Sequence, residues 1–148
     1  MKNRNYGFTL VELLAVIIIL GLIAIITIPT IVNQLKENKE ELYDAQIELI
    51  KAGAVSYVTE QIAHPSSDSD IWDVVSNKKS GSVVSVSLRT LQGTGAVNYN
   101  ISNPLCDGDN IYFDPDDTKI NMTYDGKEFS YEVISESNKL KESCTPEV

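Results

Sequence analysis

The 148-residue chain is short of the side chains that most chemistry requires: it has one His (His64), one Trp (Trp72), two Cys (Cys106 and Cys144) and two Arg (Arg4 and Arg89). His64 stands directly before Pro65 with no Cys or second His at ligand spacing, which suits a helix end better than a proton relay or a metal centre. Neither a Gly-rich phosphate loop nor a G-x-S-x-G elbow occurs. No catalytic residue, metal or cofactor is therefore expected, and the chain reads as a non-enzyme. With 21 acidic against 12 basic residues and no basic cluster, it also lacks the positive face that displaces counterions from a phosphate backbone, so nucleic acid is not expected as a direct partner. At 43% hydrophobic and 22% charged it is nevertheless too apolar to stay disordered, and its length suits one domain.

Charge is missing most conspicuously from residues 13–35, a run of 23 residues bounded by Glu12 and Lys36, of which 13–28 are almost purely aliphatic. About 20 such residues at about 1.5 Å each span a bilayer core. The run is longer than a signal-peptide core of roughly 7 to 15 residues and no A-x-A-like site follows it, so it is expected to be retained as an anchor. Lys2 and Arg4 before it place the N-terminus in the cytoplasm and the acidic remainder outside. Glu12 opens the run, where a carboxylate at bilayer depth costs about 3 kcal/mol and calls for a partner. One partner is local: Thr9-Leu10-Val11-Glu12 matches the T-x-x-E capping box.

The order Gly7-Phe8-Thr9-Leu10-Val11-Glu12, between a short basic leader and an aliphatic run, resembles the processing motif of type IV prepilins and the related pseudopilins, including those of Gram-positive bacteria. The resemblance covers about the first 30 residues. It implies cleavage by a membrane-embedded prepilin peptidase between Gly7 and Phe8, with N-methylation of Phe8. A Gly at the cut offers no Cβ to obstruct the peptidase. It also implies that Glu12 meets the amine of a neighbouring subunit's Phe8 in an assembled fibre, neutralising both charges and setting axial register. Gly21 and Pro29 are the expected bend positions, Pro29 because it removes the hydrogen bond to the Ile25 carbonyl.

Beyond the anchor the pattern stays helical. Tyr43, Ile47, Ile50, Ala54, Tyr57 or Val58, and Ile62 recur at three- and four-residue steps, and Pro65 ends the helix. From Ile71 the period turns alternating: 84–88, 97–101, the short 111–113, and 120–124 joined to 129–133 through Asp125-Gly126, a type I′ signal. Residues 71–75 suggest a short helical turn in which Trp72 anchors the core. The fold class expected is α+β, a long N-terminal helix packed on a small antiparallel sheet, the arrangement the resemblance also implies. Four segments follow: leader 1–7, membrane and fibre-core helix 8–35, amphipathic helix 36–64, and head 65–148.

Cys106 and Cys144, in an exported domain, most simply form one disulfide, as many pilins carry near the C-terminus, although two free thiols are the alternative. Five Asp crowd into residues 107–117, a donor density that suits calcium. The EF-hand spacing fails there, because Ile111 and Tyr112 stand where a ligand and a Gly are needed, and a solvated acidic loop is expected.

The resemblance thus implies a type IV pilus subunit, membrane-held as a precursor and extracellular once polymerised through its helix. Its partners would be other copies, prepilin peptidase, an assembly platform and minor pilins. The nearest alternative is a pseudopilin of a type II-like secretion or competence system; one of another class is a monomeric membrane-anchored binding domain. Loss of the leader would take Lys2 and Arg4 with it, and the net charge from −9 to −11.

Overall fold

The computed structural model describes residues 9–66 and 69–146. Helix α1 covers Leu10–Ala63, and its contacts divide the chain into two units, the first ending at Asn38 and the second starting at Lys39. In the first unit the helical side chains of residues 10–35 are almost all exposed; Leu10, Ile17, Ile25 and Ile31 each leave more than half of their surface open. Helix assignment continues through Gly21 and Pro29. The polar atoms here bond inward: Thr27 Oγ1 donates to the Ile23 carbonyl at 3.1 Å and Thr30 Oγ1 to the Ile26 carbonyl at 3.2 Å. That is how a Thr lives in an apolar medium, where an unpaired hydroxyl would be costly.

The second unit is an α+β head. The rest of α1 contributes its stripe: Tyr43, Ile50, Ala54 and Val58 are buried and Ile47 and Tyr57 pack against them, while Ile62 stays on the surface. Helix α2 is Asp70–Ser76, capped by Ser69, whose hydroxyl accepts from the Trp72 amide. It buries Ile71 and Val74; Trp72 is among the exposed residues and is not the core anchor expected of it. The seven-residue helix sets its apolar positions three apart, so Ile71 and Val74 share a face that Trp72 leaves.

Strands β1 (Ser82–Ser87), β3 (Thr118–Tyr124) and β4 (Phe129–Ser135) form one antiparallel sheet in the order β1-β3-β4, with Val84 opposite Met122 and Ile120 opposite Val133. Short strands β2 (Tyr112–Phe113) and β5 (Cys144–Thr145) pair as a second sheet. The alternation of β3 is complete: Thr118, Ile120, Met122 and Tyr124 are buried, and the residues between them are half-buried on the opposite face. Ile50, Leu88, Leu91, Ile120 and Met122 have no exposed surface and share one core, each worth roughly 1.5–3 kcal/mol of burial.

Three further expectations are corrected. Leu88 does not end a strand; it opens helix α3 (Leu88–Gly93), because Ser87 Oγ accepts the Thr90 amide and caps it. Residues 97–101 are a loop, not a strand. Asn100 (φ 59°) takes left-handed backbone that an extended segment cannot contain, and the alternation of buried Val97 and Ile101 with exposed Tyr99 comes from that loop's winding. The β3–β4 turn is also shifted. Only Gly126 has positive φ (102°), so the central pair is Gly126-Lys127 in the II′ pattern, and Asp125 Oδ1 holds the turn by accepting the amides of Lys127 and Glu128, both at 2.8 Å.

Candidate assembly site

The helix start carries the capping box. Thr9 N–H donates to Glu12 Oε2 at 2.9 Å, Thr9 Oγ1 donates to the same oxygen at 2.9 Å, and the Glu12 amide donates back to Thr9 Oγ1 at 3.3 Å. The Leu13 amide closes the first turn on the Thr9 carbonyl at 3.2 Å. Two otherwise orphaned amides are thereby satisfied. Both bonds received by the carboxylate fall on Oε2, and among the described residues Oε1 has no partner. A single carboxylate can therefore cap its own helix and still meet a cation. Gly7 and Phe8, the positions expected to be cut and methylated, lie outside the described residues.

Gly21 is open on every side, since a Cβ there would meet nothing within 4 Å. Pro29 lies inside the assigned helix, and as an imino acid it gives the Ile25 carbonyl no ladder donor. By length and composition α1 can cross a membrane, and its most apolar stretch is left uncovered.

In the head, Cys106 and Cys144 are joined by a disulfide with Cα atoms 6.1 Å apart. It ties the C-terminal segment beside β5, where Phe113 is paired with Cys144 and stacks at 5.7 Å on Tyr43 of α1, whose ring Lys141 Nζ covers at 5.7 Å. Buried Asn103 adds a second tie through its amide, which reaches the carbonyls of Lys141 (3.5 Å) and Ser143 (3.4 Å).

Four of the five Asp in 107–117 are engaged by side chains or amides of the head. Asp107 pairs with Lys39 at 3.3 Å, Asp116 with Arg89 through both carboxylate oxygens, and Asp114 Oδ1 accepts the amides of Asp116 and Asp117 at 2.9 and 3.3 Å. Hydrogen bonds from the Arg89 guanidinium hold the Asp116 carboxyl below its usual range, as the amides of Glu128 and Lys127 do for Asp125. Among the described residues no three His, Cys, Asp or Glu side chains converge on a metal position. His64 is largely exposed at the end of α1, 3.8 Å from Glu60.

Residues 2–28 match the family described as the prokaryotic N-terminal methylation motif. The chain is also similar to the type II secretion system core protein G of Pseudomonas aeruginosa, 27% identical over 74 residues, which are 50% of this chain and 52% of the relative. In its N-terminal part the chain is similar to type IV pilin-like proteins. The chain spans about half the length of the curated relative it matches, and no solved structure matches it. The matched motif brings Glu12 and the start of the apolar helix into one segment, and the head residues Cys106 and Cys144 lie outside it. What the sequence reading missed is a second exposed apolar stripe on α1, at Leu42 and Leu49; their seven-residue spacing was the available signal.

Proposed function

We propose that this chain is a structural subunit of a type IV pilus, cut between Gly7 and Phe8 by prepilin peptidase, methylated on Phe8 and polymerised through its N-terminal helix. One observation carries the reading: a processing motif runs directly into a helix whose first half exposes apolar side chains all round and has one carboxylate, Glu12, at its start. Such a surface is stable in lipid or against its own kind and nowhere else. The precursor is a single-pass membrane protein with its N-terminus inside, and the polymer is extracellular. Glu12 meets the Phe8 amine of a neighbour through Oε1, so that neither charge is buried alone. Other copies, an assembly platform and minor pilins are the partners, and the chain performs no catalysis. Gly21 and Pro29 are where the helix yields as it packs.

The likeness to a type II secretion core protein favours one second reading, a pseudopilin that assembles a short fibre for secretion or uptake. Mass spectrometry of the N-terminus together with shearing of intact cells separates the readings. An N-methylated Phe8 and shed polymer lost on deletion of the chain fit a pilus. The same N-terminus with no shed polymer and failed secretion fits the pseudopilin. An uncut Met1 rejects both and leaves a monomeric anchored domain.

A further inference from the structure

The sheet β1-β3-β4 ends on β4, and hydrogen bonds at both ends of the β3–β4 hairpin fix which backbone groups are left over. The Asp125 amide donates to the Glu128 carbonyl at 3.1 Å, and the Glu136 amide to the Asp117 carbonyl at 3.0 Å. Between these two closures Thr123 stands opposite Ser130, Asn121 opposite Glu132 and Lys119 opposite Ile134, so Ser130, Glu132 and Ile134 turn their N–H and C=O groups toward β3. Phe129, Tyr131 and Val133 alternate with them and turn theirs out of the sheet. Among the described residues none of those outward amides and carbonyls has a partner. An open edge of this kind is a template for one more strand.

The side chains say which strand fits. On the core side the half-buried rings of Phe129 and Tyr131 lie 6.5 Å apart, with Tyr124 5.0 Å from Phe129. Rings in such a row pair well with β-branched side chains across a strand. On the other face Glu128, Ser130 and Glu132 are exposed, and neither carboxylate is in an ion pair among the described residues; Lys119 is taken by Glu136, and Lys127 belongs to the turn. A second copy paired antiparallel about Tyr131 would make the two Glu132 side chains diagonal neighbours at about 7–8 Å, on a chain already at −9. A cation is the complement of that face. We infer that the free edge of β4 takes, as a fourth antiparallel strand, an extended polypeptide with Lys or Arg at alternate positions and β-branched residues between them, its cations meeting Glu128 and Glu132 and its backbone pairing with Phe129, Tyr131 and Val133. The site lies wholly in the head, so it goes beyond the fibre reading and does not rest on it.

The test titrates the detergent-solubilised full chain with a blocked peptide of alternating Val and Lys, followed by calorimetry and amide hydrogen exchange. In the free chain the amides of Ser130, Glu132 and Ile134 should be protected and those of Phe129, Tyr131 and Val133 open; saturating peptide should protect the open three. N-methylation of the peptide's Val amides, which would face β4, should weaken binding at least about tenfold, whereas N-methylation of its Lys amides, which would face away, should not. A Val-Glu peptide, and the Glu128→Lys/Glu132→Lys chain with its melting temperature retained, should lose binding to a similar degree. No binding, heat without new protection at those three amides, a Val-methylated peptide that binds as well as its parent, or a Val-Glu peptide that does so overturns the strand site. Protection of the same amides that grows with chain concentration and needs no peptide gives the edge to a second copy and overturns the cationic partner.

Discussion

Gly53→Ala sets two magnitudes of opposite sign against each other. Gly53 lies inside α1, where replacing Gly by Ala stabilises an ordinary helix by about 1 kcal/mol. Here the added Cβ would stand 2.5 Å from Val97 Cγ1 and 3.0 Å from the Ala96 carbonyl oxygen, against an ordinary contact of about 3.5–4.0 Å. Neither neighbour yields easily. Val97 is β-branched and buried, and the amides of Ala96 and Val97 both bond the Leu91 carbonyl, at 2.9 and 3.3 Å, so retreat of the loop would break the link to α3. Overpacking of this kind costs about 1–3 kcal/mol, which outweighs the propensity gain and leaves a net loss of up to about 2 kcal/mol. At about 4 °C per kcal/mol for a unit of this size, the expected fall in melting temperature is several degrees, followed by near-ultraviolet circular dichroism of the detergent-solubilised chain. Gly93→Ala, where a Cβ meets nothing within 4 Å, is the control and should not lower the melt. In a double-mutant cycle Val97→Ala should absorb part of the Gly53→Ala penalty, giving a coupling between two residues in contact. A Gly53→Ala chain that melts at or above the parental temperature would refute the close-approach reasoning.

Reduction of Cys106–Cys144, or Cys106→Ser with Cys144→Ser, frees a sequence separation of 38 residues and should cost up to about 4 kcal/mol on the chain-entropy treatment; a urea midpoint unmoved by reductant counts against it. On acidification the head should hold its stability above the unfolded-state carboxyl range near 3.9 and lose it as pH falls through the lowered folded-state values of Asp116, Asp125 and Asp73. A melting temperature flat to about pH 2 would contradict those assignments. Glu12→Ala removes a cap worth about 1 kcal/mol and leaves the long helix formed, so circular dichroism should barely change while sheared polymer disappears; polymer of normal yield and order would sink the register role of Glu12.

Residues 9–63 were legible because their signals are local and redundant: uniform apolarity over 13–35, a capping box at Thr9–Glu12, a core stripe at Tyr43, Ile50, Ala54 and Val58, and Pro65 as a stop. The β3–β4 hairpin was legible for the same reason, although its turn is centred on Gly126-Lys127 rather than on Asp125-Gly126. Residues 88–101 misled because alternation of apolar residues is not peculiar to strands. Ser87 could end a strand or cap a helix, and its choice of the Thr90 amide depends on Leu88 and Leu91 both finding the core, a long-range fact. Asn100 in left-handed backbone likewise answers to the loop's packing and not to its neighbours in sequence. The Leu42–Leu49 stripe was overlooked because the other face of the same helix satisfied the search for a core.

The inward bonding of Thr27 and Thr30 has a consequence for the economy of a polymer. With those hydroxyls closed on their own helix, the surrounding medium is asked for no hydrogen bond there, and hydrocarbon tails and leucine side chains serve nearly alike. Transfer between such media is close to isoenergetic at these positions, so on the fibre reading proposed above neither hydroxyl drives a subunit out of the membrane or traps it in the polymer.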